Sequence, residues 1–211
     1  MKRLILCLAC LSLILTSGDA YAVKNSHGSW TLHFAGPHDA ETNTCDYMVT
    51  DCMVQIVVDA PPGPGRYDVY VIATDVVGIA QTSFGLSCDG SFTFHGWTGC
   101  GDSEVPDTGW PGCGEGITVG WMSEQPGPHV TVGILDVYVD GTATVCSGVF
   151  PSLGKAEFCD GSIPDPVCAQ RGGVVPFGCV GFGSYGGYAT CPAPLPPDQA
   201  TWGLIKSLYV E

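Results

Sequence analysis

HVTVGILDVYV, residues 129–139, decides the fold. Its apolar set runs Val130, Val132, Ile134 and then slips one position to Leu135, Val137, Val139. An apolar period of two marks a strand with one face toward a core. A one-residue slip at a glycine is what a β-bulge produces, so a bulge is expected near Gly133. The stretch YDVYVIAT, residues 67–74, is apolar on both faces and predicts a central strand covered on both sides. DVYV occurs in both stretches, at 68–71 and 136–139, with PGP and CDG recurring around each copy. The spacings between these pieces differ, which points to shared turn chemistry and not to duplication.

Working outward, strand signals dominate. Trp30, Leu32 and Phe34 alternate with Thr31, His33 and Ala35, which sets His33 on an outward, solvent-facing side. Val54, Ile56 and Val58 alternate in the same way and read as another strand. Pro61-Pro62-Gly63-Pro64-Gly65 forces a turn. Residues 78–88 form a further strand, and Phe92 and Phe94 mark the inward face of the next. Ile117, Val119 and Trp121 open the second half, short strands follow at 142–146 and 155–159, and 159–191 is loop-rich and cross-linked. About eight to ten strands with this turn punctuation predict an all-β protein, a single disulfide-rich β-sandwich of jelly-roll or immunoglobulin-like type over residues 23–191.

The two ends differ from this body. Lys2 and Arg3, the apolar run 4–15 and Ala20-Tyr21-Ala22 have the layout of a signal peptide, 1–22, and predict a secreted or cell-surface protein. The apolar run is too short to span a bilayer. At the other end, residues 192–197 (PAPLPP) form a Pro-rich tether. Asp198 then caps a short C-terminal helix in which Trp202, Ile205, Leu208 and Tyr209 share one stripe, expected to dock on the sandwich.

Beyond the signal segment stand Cys45, Cys52, Cys88, Cys100, Cys113, Cys146, Cys159, Cys168, Cys179 and Cys191. An even number in an exported chain reads as up to five disulfides. The short-range pairs Cys45–Cys52 and Cys100–Cys113 are the favoured guesses. Among these ten there is no C-x-x-C pair, and the chain has no close histidine pair, so no zinc site is expected. Lys and Arg number 7 against 21 Asp and Glu, a net charge of −14. That balance repels nucleic acid and anionic lipid, leaving protein or neutral glycan as partners.

Residues 78–92, GIAQTSFGLSCDGSF, resemble cohesin-like modules of secreted bacterial proteins, which pair a glycine-led strand with an acidic turn and a second apolar strand. The terminal Trp202-Gly203-x-Ile205-Lys206-x-Leu208-Tyr209 is similar to the ends of uncharacterised exported bacterial proteins. The first resemblance implies a jelly-roll sandwich and carries over no functional residue. The ten cysteines depart from the cohesin pattern.

No hydrolase motif is complete, so no catalytic residue is assigned and the chain is read as leaning non-enzymatic. The chemically densest stretch is 84–116. If Phe92 and Phe94 point inward, Thr93, His95 and Trp97 point outward together. Trp97 then stands beside a loop holding Asp102, Glu104, Asp107 and Trp110. Exposed tryptophan beside carboxylates can stack and hydrogen-bond a sugar, which makes these six the candidate ligand-binding set. The plainer alternative is that both rings cover the cystines. The same acids are compatible with calcium, but no EF-hand or nonapeptide spacing is present, so no cofactor is indicated. Two functions follow: a non-catalytic extracellular interaction or structural module, or a glycan-binding or glycan-cleaving domain using Trp97, Trp110 and the nearby carboxylates.

Overall fold

β3 (Gly65–Thr74) and β7 (His129–Gly148) pair antiparallel at the heart of the sheet. In the computed structural model, residues 24–162, 166–171, 177–183 and 186–191 are described. Residues 1–22, expected to be a signal peptide, and 192–211, expected to be a tether and helix, lie outside the described residues. Val71 faces Gly133 and Ile72 faces Thr131, so Val132 is the extra residue of a β-bulge beside Gly133. The slip acts one residue earlier than the alternation suggests. Val130, Val132, Leu135, Val137 and Val139 enter the main core, whereas Ile134 turns to the opposite face with Tyr70 and Ile72. β3 is buried on both faces, as its sequence predicts.

Among the described residues, ten strands hydrogen-bond into one sheet whose main path runs β1-β3-β7-β4-β6-β5. Here β1 is Ser29–Pro37, β4 Gly78–Gly99, β5 Ser103–Pro106 and β6 Gly116–Pro126. The remaining strands are β2 (Asp59–Ala60), β8 (Ala156–Cys159), β9 (Cys168–Arg171) and β10 (Cys179–Phe182). The two strands expected at 78–88 and around Phe92 are one, and 142–146 is the far half of β7. The reason lies in Gly90 and Gly141. With φ of 95° and 120° they sit in an irregular step between the pairs Gly90–Ala143 and Phe92–Val139, where β4 and β7 bend together and then resume pairing.

That bend folds the sheet onto itself. Trp30 of β1 stacks on Phe158 of β8 at 3.9 Å, and its Nε1 donates to Thr82 Oγ1 of β4. β1 hydrogen-bonds to neither strand along the sheet path. The two therefore meet face to face across the core, which makes the architecture an all-β sandwich. Trp30, Leu32, Val69, Phe84, Ile117, Leu135 and Phe158 fill its interior.

A strap, residues 45–58, crosses the outer face of β1, β3 and β7. The strand expected from Val54, Ile56 and Val58 does not form. Residues Cys52–Gln55 make a single helical turn, α1, because Asp51 caps it by accepting from Met53 N while Gln55 Oε1 accepts from Thr50 N and Asp51 N. Cys52 and Ile56, spaced i and i+4, face inward, and Val54 is exposed. His33 is not solvent-facing either, because the strap covers it. Its ring packs against the stacked pair Tyr47 and Tyr70, Val57 N donates to its Nδ1 at 2.9 Å, and Tyr47 Oη lies 3.0 Å from its Nε2.

This buried histidine makes the fold sensitive to pH. Its Nδ1 must stay unprotonated to accept from Val57, and burial lowers the His33 pKa. With the folded pKa below the unfolded one, the unfolded chain takes up the proton first. Stability is therefore full above the unfolded value, about 6.5, and declines as pH falls through it. The melting temperature should drop between about pH 7.5 and about pH 5.5, and His33→Gln should flatten that drop. An equal drop in both proteins would show that His33 is not responsible.

The ten cysteines among the described residues are all bonded, in the pairs Cys45–Cys100, Cys52–Cys191, Cys88–Cys113, Cys146–Cys179 and Cys159–Cys168. Both favoured short-range pairs are wrong. Leu86 N donates to Glu115 O and Gly114 N to Leu86 O, which pins the loop beside Cys88 and away from Cys100 at the far end of β4. The α1 turn points Cys52 into the layer under the strap, toward Cys191, and away from Cys45. The last two pairs join residues that face each other across adjacent strands. Five such bonds indicate an oxidising compartment.

Candidate functional site

The outer face carries a polar row across four strands. Gly36 of β1 faces Asp68 of β3, Asp68 faces Asp136 of β7, and Asp136 faces Gly96 of β4. Two carboxylates directly opposite each other repel unless each is satisfied. Asp68 accepts from His38 Nδ1 at 2.8 Å, Asp39 N at 2.9 Å and Asn43 Nδ2 at 2.6 Å. Asp136 is held by both Nε and Nη2 of Arg66, a paired contact that suits a planar guanidinium. This contact pulls the Asp136 carboxyl below the usual carboxylate range, with His38 and His95 adding to the effect.

Above the row lies a cleft of about 280 Å³ lined by His38, Asn43, Thr44, Asp68, Asp136 and the Gly96–Thr98 stretch. The glycine at 96 keeps it open: a Cβ there would meet only Asp136 Oδ2, at 3.9 Å. One wall is the start of the strap, clamped to the end of β4 by Cys45–Cys100. His38 Nδ1 and one oxygen each of Asp68 and Asp136 lie within 4.8 Å of one another, close enough to share a cation. Arg66 already occupies Asp136, so a cation would have to displace the guanidinium.

The six residues singled out from sequence fall in several places. The register slips between Phe94 and Gly96, so His95 is an extra residue and Trp97 faces Leu135. Trp97 therefore sits on the same side as Phe94, against the core, and not beside His95. Its ring lies over Gly133, 6.2 Å from Phe84 and 5.2 Å edge-on from Trp110. Its Nε1 donates to Glu104 Oε1 at 3.1 Å. Trp110 is half-buried, edge-on to Phe84 at 5.6 Å, and its Nε1 is buried without a partner. His95 is exposed, near Tyr138. Asp102 accepts from Met122 N, and Asp107 accepts from Ser152 Oγ. Trp97, Trp110 and Glu104 come together, while the side chains of His95, Asp102 and Asp107 have other partners, although Asp107 O accepts from Trp110 N.

Sequence reasoning missed His38, Asn43, Asp68 and Asp136. One signal was present: the echoed DVYV copies put a lone aspartate into each of two apolar strands, and those two aspartates are the cross-strand pair.

No protein-family model matches the chain, and no curated protein matches it. Among solved structures, the cohesin module of a family 33 glycoside hydrolase from Clostridium perfringens is 8% identical, with 74% of this chain and 96% of that chain covered and a TM-score of 0.42. The cohesin of a type I cohesin–dockerin complex from Clostridium thermocellum is 12% identical, covering 69% and 98%, with a TM-score of 0.41. The sixth cohesin of scaffoldin B from Acetivibrio cellulolyticus, in complex with a dockerin, is 13% identical, covering 72% and 97%, with a TM-score of 0.41. All three are cohesins, the kind of module that residues 78–92 resemble.

Proposed function

We propose that this chain is a secreted, non-catalytic interaction module whose ligand enters the cleft over Asp68 and Asp136. The observation that carries this reading is the state of the polar groups on the cleft floor. Asp68 and Asp136 are each held by fixed donors, and Asp136 is held low by Arg66. A general acid needs a raised pKa, so Asp136 is poorly placed to donate a proton. Asp68 has no Lys or Arg partner among the described residues, so its carboxylate is suited to meeting a basic side chain of a protein partner while Asp136 stays with Arg66. Clamping the strap through Cys45–Cys100 prepays the ordering that binding would otherwise cost.

The glycan reading persists on one observation, that Trp97 and Thr98 border the same cleft as the two aspartates. It moves the sugar site away from Asp102 and Asp107. Gly96→Phe tests both readings, because it fills the cleft where a side chain has room. The mature protein would be screened on arrays of basic peptides and of neutral glycans. Peptide binding lost in Gly96→Phe, at unchanged melting temperature, supports the protein-partner reading. Glycan binding lost in the same way supports the other. Binding that ignores the substitution contradicts both.

A further inference from the structure

Exposed large apolar side chains concentrate on the strap. Met48, Met53, Val54 and Val57 are 76, 64, 77 and 45% exposed, all within a short run of chain. The other exposed large apolar side chains among the described residues are scattered along the chain, whereas these four fall between residues 48 and 57, and such a concentration marks a surface that something covers. The strap is also where the C-terminal segment begins. Cys191 is bonded to Cys52, the residue before Met53, and packs against the layer beneath the strap.

The sequence beyond Cys191 restricts what it can reach. PAPLPP, residues 192–197, favours the extended polyproline form, which rises ~3.1 Å per residue, so this tether spans about 19 Å at most. The segment after it carries Trp202, Ile205, Leu208 and Tyr209 at helical spacing, with only Asp198, Lys206 and Glu211 charged. An apolar stripe therefore starts within a short, stiff reach of an apolar surface. We propose that residues 192–211 dock in cis across the outer side of the strap, with this stripe covering Met48, Met53, Val54 and Val57.

The same segment could instead be read by another protein or cover a second copy, and methionine oxidation separates these cases. A brief peroxide pulse on the mature protein, followed by peptide mass spectrometry, compares Met48 and Met53 with Met122. Met122 lies on β6, is 89% exposed and serves as the internal standard. Cis docking predicts that Met48 and Met53 oxidise several-fold more slowly than Met122, at any protein concentration. In the full-length Trp202→Asp/Leu208→Asp variant their rates should rise to that of Met122. The proposal is overturned if Met48 and Met53 already react at the Met122 rate in the unaltered protein. It is equally overturned if their protection appears only at high concentration, or survives the double substitution.

Discussion

Replacing Trp30 by alanine should destabilise the protein by about 3–5 kcal/mol, the range for deleting a fully buried large aromatic side chain. The ring is 0% exposed and stacks on Phe158 across the core. Its Nε1 donates to Thr82 Oγ1, which loses that partner on truncation. Gly28 lies directly under the Phe158 ring, where even a Cβ would come within 2.9 Å, so the site is tightly filled on the far side too. Little collapse into the cavity is available, which places the loss toward the upper end. Trp30→Phe should cost less, because it keeps a ring against Phe158. Urea denaturation at equal protein concentration measures both. A loss below about 1 kcal/mol for Trp30→Ala would mean that β1 does not close over β8.

The second large effect belongs to Cys52–Cys191, which joins residues 139 apart in sequence. Chain entropy alone gives about 5 kcal/mol for a loop of that length and about 2.6 kcal/mol for the loop closed by Cys159–Cys168, whose separation is 9. The other bonds already shorten the effective loop, so the first figure is an upper bound. Cys52 and Cys191 also pack with Val49, Tyr70, Ile72 and Ile134, and their replacement loosens the layer that covers His33. Cys52→Ser/Cys191→Ser should therefore cost more than Cys159→Ser/Cys168→Ser in urea denaturation. The reverse order would contradict the account of the strap as a long-range clamp.

How much of this was legible in the sequence depended on whether a local pattern had one reading or two. The bulge near Gly133 was legible because a period of two on either side of it has no helical counterpart, and the doubly buried β3 because a short run apolar on both faces, rich in Val, Ile and Tyr and bounded by a Pro-Gly turn, marks a covered strand. α1 was not, because over seven residues the alternation Val54, Ile56, Val58 competes with the i, i+4 pair Cys52 and Ile56. The capping pattern of Asp51 and Gln55 was the available tie-breaker. The bend at Gly90 reads locally as a turn. Only the pairing with the bent half of β7 shows that the strand continues through it.

The same distinction governs the candidate site. Simple alternation from Phe94 sends Trp97 outward, and the extra residue at His95 reverses it, a reversal that no residue near Trp97 announces. Asp68 and Asp136 are visible as charges inside apolar strands, but their convergence depends on the register between two segments far apart in sequence. Cysteine pairing failed for the same reason. Short sequence separation is a poor guide when intervening backbone bonds, such as those between Leu86 and residues 114–115, decide where a loop lies.

The strap and the cleft beside it exist only if Cys45 reaches Cys100 and Cys52 reaches Cys191. Proteolysis of the unreduced protein, with thiols blocked and the linked peptides identified by mass spectrometry, reads this directly. The structure predicts linked peptides joining Cys45 with Cys100, Cys52 with Cys191 and Cys88 with Cys113. Peptides joining Cys45 with Cys52 and Cys100 with Cys113 would contradict it, because they would free the strap from the end of β4 and open the cleft.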